Sequence, residues 1–299
     1  MQHNGECVLQ SAVAECYTCD MSYDLNLHFD PAVDRKAFVA YFAHRKHYVS
    51  NGTTLMYQNA DTGVNFVIRY RTTRAIFTTK KVADAHIEVN YFRPSCFGVE
   101  AEREVSALVA EFAPKIDDPQ IKGMGQGPYS PQGFLSGWNY GNAFAVRSIS
   151  ANNPNYKVPV MAAEKLRAAW RWNYNRPELT AKANDQQFVP GVFFVKVRDV
   201  PSLATVWALG MPILLPTVDY VLVARDEAGV KVSGLSPWSE VVDVVRGAGI
   251  EVGGDPLDIK YATTPGSIAK WIAEIPTCDL STLPRLNFHE VIDAELVPA

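Results

Sequence analysis

Neither half of this chain has a basic bias. Residues 1–150 hold 14 Lys and Arg against 15 Asp and Glu, net −1, and the remainder holds 14 against 17, net −3. A protein that grips nucleic-acid phosphates carries a cationic surplus, so this balance excludes that class at the level of composition. Cysteine is scarce and odd in number, five in 299 residues. That excludes a complete disulfide framework and points to a reducing compartment. No apolar run approaches the ~20 residues of a membrane helix. The longest, "VWALGMPILLP", is interrupted by Gly210, Pro212 and Pro216. The opening residues, "MQHNGECVLQSAVAEC", lack a basic segment and hold Glu6 and Glu15, a poor match to a secretory leader. The expectation is a cytoplasmic protein with no membrane and no nucleic-acid partner.

Catalytic signatures are missing too. There is no G-x-S-x-G elbow; Ser236 sits in "SGLSPWSE", at the wrong spacing. "GMGQGPYS" places glycines at 123, 125 and 127, but Pro128 follows and no Lys-Ser/Thr pair does. It therefore fails both the phosphate-loop and the dinucleotide patterns. Gly123–Gly127 reads as a mobile loop that binding could use, with an anion site as the alternative. His86 and His289 are candidate bases without an identifiable nucleophile. Asp117 and Asp118 read as a turn; Glu100, Glu102 and Glu104 read as a solvated helix face. Asp219 stands alone between "ILLPTV" and "YVLVA". Buried there it would need a partner, and capping the start of a strand is its simplest role. The catalytic residues are thus unknown from sequence, and no cofactor is assigned.

Two stretches compete for a metal. His3, Cys7, Cys16 and Cys19 fall within 17 residues, and "CYTCD" gives two thiolates the gap that lets them share zinc. Only one such pair exists, and no helix follows that would activate a thiol. The reading is an ordinary N-terminal leader over 1–20, with metal and redox roles as alternatives. His44 and His47 in "HRKHY" sit where basic residues complement a helix C-terminus. No metal is assigned to either stretch.

What is present is material for a core: 47% of residues are hydrophobic and 20% charged. "YDLNLHFD" alternates, with Leu25, Leu27 and Phe29 on one side and Asp24, Asn26 and His28 on the other, a half-buried strand. A helix over 32–46, a hairpin around "NADTG", strands in "RAIFTTK" and "AHIEVNYF", and a helix in "GVEAEREVSALVAEFAP" follow. Ser130-Pro131 is a good helix start, and "VMAAEKLRAAWRWNY" predicts a second helix ending before Pro177. "RPELTAKANDQQ" reads as a polar connection. The last third predicts strands "VFFVKV", "LATVWAL" and "DYVLVAR", then helices after Ser236-Pro237 and Thr264-Pro265. The fold expected is α+β, two mainly antiparallel sheets with helices packed on them. Its parts are an α+β subdomain over 21–120, a Gly- and aromatic-rich helical connection over 121–190, and a second α+β subdomain over 191–299.

In that connection, Gly133, Gly137, Gly141 and Ala145 recur every fourth residue, a smooth ridge that lets another element approach. Trp138, Tyr140, Trp170, Trp172 and Tyr174 accompany Arg167, Arg171 and Arg176. These types are enriched at protein–protein hot spots; a core between two helices is the plainer reading.

"YQNADTGVNFVIRY", "NYFRPSCFGVEAEREVSALVAEF" followed by "DDPQ", and "FLSGWNYGNAF" occur in that order over 57–145. Together they resemble bacterial cytosolic α+β proteins of the kind encoded beside secreted antibacterial toxins as immunity proteins. The resemblance implies a binding protein with a toxin-like protein partner, and it transfers no functional residue. The mechanism expected is steric or allosteric occlusion through aromatic, Gly-rich-loop and mixed-charge residues. The mildly acidic balance would suit a basic partner. The alternative is an enzyme whose site is assembled from scattered residues around Asp219, His86 or Gly123–Gly127.

Overall fold

The computed structural model describes residues 21–73, 79–153, 157–208, 211–227 and 229–297. His3, Cys7, Cys16 and Cys19 lie outside the described residues, as does most of "RAIFTTK". The chain divides into two compact units: Met1–Ala163 together with Ile292–Ala299, and Glu164–Val291. The stretch 121–190 is not one connection, because its two helices fall in different units.

The first unit is built on β1 (Ser22–Asp34), α1 (Arg35–Ala43), β2 (Tyr48–Asn51), β3 (Thr54–Gln58), β4 (Asn65–Thr73), β5 (Lys81–Asn90), α2 (Cys96–Phe112), β6 (Lys115–Asp118), β7 (Gly125–Gly127) and α3 (Pro131–Asn152). The strands form one antiparallel sheet in the order β2-β3-β4-β5-β1-β6-β7. Strand alternation decides its faces. Tyr23, Leu25, Leu27 and Phe29 are buried, as are Leu55, Tyr57, Phe66, Ile68, Tyr70, Ile87 and Val89 from the neighbouring strands. Phe38 of α1 meets Phe29, Phe42 and Tyr70 at ring-centroid distances of 5.6, 5.2 and 5.2 Å. The helices lie over this apolar face, so the class is α+β.

Helix α1 starts later than the pattern predicts because β1 runs on to Asp34, whose carboxylate then caps it, accepting from Lys36 and Ala37 N–H at 2.8 and 3.2 Å. It also ends earlier, with His44 as its C-cap. Arg45 therefore does not serve the helix dipole; it forks onto Glu104 of α2, with bonds of 2.7 and 3.1 Å. Strand β2 lacks alternation and was not predicted.

Residues 292–297 close this unit. The C-terminal strand Ile292–Asp293 pairs in parallel with β8 (Val160–Met161). Ile292 joins a cluster with Phe92, Val146 and Ile149. Asp293, nearly fully buried, accepts from the Ser95 N–H at 2.6 Å and its hydroxyl at 3.0 Å. It thereby satisfies a free amide at the start of α2, where a negative charge is favoured.

The second unit takes in α4 (Ala163–Ala183), β9 (Phe193–Val197), β10 (Val200–Ala208), β11 (Ile213–Leu215), β12 (Tyr220–Glu227), β13 (Val230–Pro237), α5 (Trp238–Gly247), β14 (Leu257–Ile259), α6 (Gly266–Glu274) and β15 (Arg285–Leu286). Its five-stranded sheet has the order β13-β12-β10-β9-β15 and is antiparallel except between β10 and β12. A further pair, β11 with β14, is antiparallel. Helix α4 passes through Pro177, where the sequence predicts a stop and a polar connection. Tertiary bonds hold it there: buried Asn173 donates to Val192 O and accepts from Val192 N–H, both at 2.8 Å, and Trp172 Nε1 donates to Pro190 O at 2.7 Å. They outweigh the local cost of proline, ~3 kcal/mol.

Gly98 of α2 packs directly against Trp138 of α3. A methyl there would sit 2.5 Å from Cε3 of Trp138, which is fully buried. Gly98→Ala would gain ~1 kcal/mol of helix propensity and lose ~1–3 kcal/mol to overpacking. The expected result is a lower urea midpoint at unchanged slope; a raised midpoint would contradict this packing.

Candidate functional site

Helix α3 is poor in intrinsic helix formers, with Gly133, Gly137 and Gly141 in its interior, each costing ~1 kcal/mol relative to Ala. It is held by packing. Its buried positions include Phe134, Trp138, Asn142, Ala145, Val146 and Ile149, at helical spacing. The glycine ridge receives the sheet and a loop: a methyl on Gly137 would lie 2.9 Å from the Tyr23 ring and 3.0 Å from Gly123 Cα, and one on Gly141 would strike the Tyr91 hydroxyl. Buried Asn142 stitches the helix to the chain after β5, donating to Arg93 O at 2.8 Å and accepting from Arg93 N–H at 3.1 Å.

Its outward side is unusual. Arg147 is the only charged residue among the 22 of α3. The exposed positions include Ser136, Asn139, Tyr140, Phe144 and Arg147. Tyr140 is 43% exposed and Phe144 59%. Spacings of four and three put Tyr140, Phe144 and Arg147 on one stripe. A solvated helix face normally carries mixed charge; depletion of charge with aromatics and Arg retained is the composition of an interface core.

The glycine loop borders this helix and is built around an internal anion. The Asp118 carboxylate, nearly fully buried at the end of β6, accepts from Gln120 N–H at 3.0 Å and Met124 N–H at 2.8 Å, and from the Tyr23 hydroxyl. A methyl on Gly123 would collide with that carboxylate. The amides that an external phosphate would use are thus already turned to Asp118. The pair Asp117-Asp118 is not a turn but the end of a strand, with the two side chains on opposite faces. Ile121, 85% exposed, projects from this loop.

Comparison with protein-family models, curated proteins and solved structures returns no match. The site therefore rests on the geometry of this chain alone.

The other sequence candidates are placed as follows. His86 lies on the face of the first sheet opposite its apolar, helix-bearing face. Asn26 donates to Asp117 at 3.4 Å, so its Oδ1 faces His86 Nδ1, at 2.9 Å. His86 Nε2 faces Asp24 at 3.2 Å and Glu88 at 3.5 Å, and Arg69 pairs with Glu88. Both ring nitrogens are thus engaged by neighbouring side chains of the sheet. The three glutamates of α2 are not a solvated face. Glu100 is fully buried; its Oε1 accepts from the Tyr57 hydroxyl and Asn59 Nδ2 at 2.7 Å and the Thr62 hydroxyl at 3.1 Å, locking the hairpin onto α2. Glu102 accepts from Tyr129 at 3.2 Å, and Glu104 holds Arg45.

Asp219 has the partner its surroundings demand. It accepts from Leu203 N–H at 2.9 Å and Lys165 at 2.6 Å, fixing β10, the start of β12 and α4 together. Ser236 is buried and donates to Glu240 at 2.9 Å. His289 sits half-buried in a short 3₁₀ turn, and His44 and His47 are exposed. The aromatic group divides: Trp138 and Tyr140 belong to the first unit, Trp170, Trp172 and Tyr174 to the second. Among the described residues no group of three or more His, Cys, Asp and Glu is placed to hold a metal ion. Cys96 is buried, and burial pushes its thiol well above the ordinary range. No described helix is long and apolar enough to cross a membrane.

Glu100→Ala would leave three buried donors without an acceptor and should cost about 3 kcal/mol or more in chemical denaturation, with Glu100→Gln costing less. Tyr23, Tyr57, Tyr91 and Tyr129 are all raised above the ordinary phenol range, first by burial and then, for Tyr23 and Tyr57, by the Asp118 and Glu100 carboxylates they bond. Phenols in the unfolded chain ionise near pH ~10. Their contribution is therefore complete below that pH and lost above it, as pH rises toward the folded values. Stability should fall above pH ~10, with the tyrosinate absorbance of these four appearing only as the chain unfolds. Their titration in a still-folded chain would contradict the burial.

Proposed function

We propose that this protein acts in the cytoplasm by binding another protein, as an immunity-type protein that occludes an antibacterial toxin, and not by catalysis. One observation carries the reading: the exposed stripe of α3, a helix with a single charge in 22 residues, with Tyr140 and Phe144 held outward on a helix clamped to its sheet. A rigid, aromatic, charge-depleted patch desolvates cheaply and loses little conformational entropy on docking. The immunity part of the reading is supported by the resemblance over 57–145, within which both aromatics lie. The competing reading, an enzyme of scattered residues, has its best support in His86. That ring is part-exposed with both nitrogens engaged, which suits a cross-strand polar network better than a general base.

The test is capture from the source cells with the full chain as bait and Tyr140→Ala/Phe144→Ala as control. A stoichiometric partner is expected, reduced about tenfold or more with the variant, as for loss of two hot-spot side chains. Co-expression of that partner should be toxic and should be relieved by the wild-type chain. Absence of any stoichiometric partner would overturn the proposal.

A further inference from the structure

The stripe on α3 does not end at the helix. The loop Pro119–Met124 runs beside it, with Gly123 against Gly137 and Gln120 accepting from the Tyr91 hydroxyl that lies over Gly141. That loop contributes Ile121, 85% exposed, and the exposed Lys122. Two elements thus present three large apolar side chains, Ile121, Tyr140 and Phe144, with two cations, Lys122 and Arg147. Neither cation has an anionic side chain among the described residues within ion-pair distance. Helix α3 has no carboxylate, and the acid nearest in sequence to the loop, Asp118, is buried beneath it. In a protein of net charge −4, these two elements carry two exposed cations and no exposed carboxylate beside their apolar side chains.

We infer that this surface docks an apolar segment of a partner protein bordered by carboxylates, reached by Lys122 and Arg147. The inference rests on the protein-binding reading above and sharpens it, since the local charge is opposite in sign to the net charge and selects an acidic partner rather than a basic one. Charge complementarity decides against a second copy: the same face on another molecule offers cations and no carboxylate. It also favours a protein over an anionic membrane. Ser136 and Asn139 interrupt the apolar stripe with groups suited to directional hydrogen bonds, and two cations fall short of the polybasic face that membrane binding uses.

The experiment places a photo-crosslinking amino acid at 144, and at exposed Val230 of the other unit as control, in the full chain within source cells. The protein cross-linked from 144 is identified, purified and titrated against wild type, Tyr140→Ala/Phe144→Ala and Lys122→Glu/Arg147→Glu. Circular dichroism melting confirms that each variant folds. Expected are a single protein cross-linked from 144 and not from 230, a loss of about tenfold or more in affinity on charge reversal, and weakening with added salt. A compensating Asp or Glu→Lys change in the partner should restore binding to Lys122→Glu/Arg147→Glu. A partner whose affinity depends on Tyr140 and Phe144 but is unchanged or raised by charge reversal overturns this inference and leaves the binding reading standing. Cross-linking only to the chain itself, with a dimer in sedimentation, overturns it in favour of self-association. Co-sedimentation with phosphatidylserine vesicles that charge reversal abolishes assigns the surface to lipid and overturns it. No cross-link at 144 overturns both.

Discussion

The close approach of the Gly123 backbone to Gly137 is the constraint on which the first unit turns. It requires glycine at 137, a loop folded back on β6, and a negative group to collect the amides of that fold, for which glycine at 123 leaves room. Asp118 is that group, and Tyr23 completes its shell while packing its ring on Phe134 at 4.8 Å. One buried carboxylate thus fixes the loop, the first strand and the register of α3 together. A buried charge is tolerable because every bond on it is short-range and directional. The same logic recurs at Glu100, which binds the hairpin to α2, and at Asp293. In all three cases a carboxylate that pattern reading assigns to a turn or to water, or leaves unassigned, is a structural rivet.

That clamping gives the outward side of α3 its character. A helix with three interior glycines would fray if it depended on its own propensity. Its ridge, its tryptophan against Gly98 and its asparagine on Arg93 hold it instead. It can then display Tyr140 and Phe144 without a matching investment in surface charge. The sheet face on the opposite side of the layer is the contrast: Asp24, His86, Glu88 and Arg69 satisfy one another across strands, so that face is polar, internally paired and well suited to water.

Strands and helices with a strong period were legible in the sequence. The alternation of Leu25, Leu27 and Phe29, the Ser130-Pro131 start and the glycine ridge all appear where the pattern puts them. What was not legible depends on contacts distant along the chain. Pro177 lies inside a helix because Asn173 reaches Val192. Strands β2 and β13 carry little alternation and are recruited by their neighbours. Glu100 is indistinguishable from Glu104 until the hairpin donors arrive. The α3 surface did leave a trace: a single charge in a 22-residue segment is visible in the letters. It was hidden among buried aromatics such as Trp138, because composition does not separate the two sides of a helix until its phase is known.

The return of the last strand to the first unit bears on how the molecule is made. Strand β8 and the start of α2 leave the ribosome early, while Ile292 and Asp293 follow the whole of Glu164–Val291. At ordinary elongation rates that interval is on the order of ten seconds. Throughout it the Ser95 amide lacks its Asp293 acceptor and the hydrophobic cluster lacks Ile292. The first unit is thus the earlier to be synthesised and the later to be finished, and its surface is complete only after the second unit has been released.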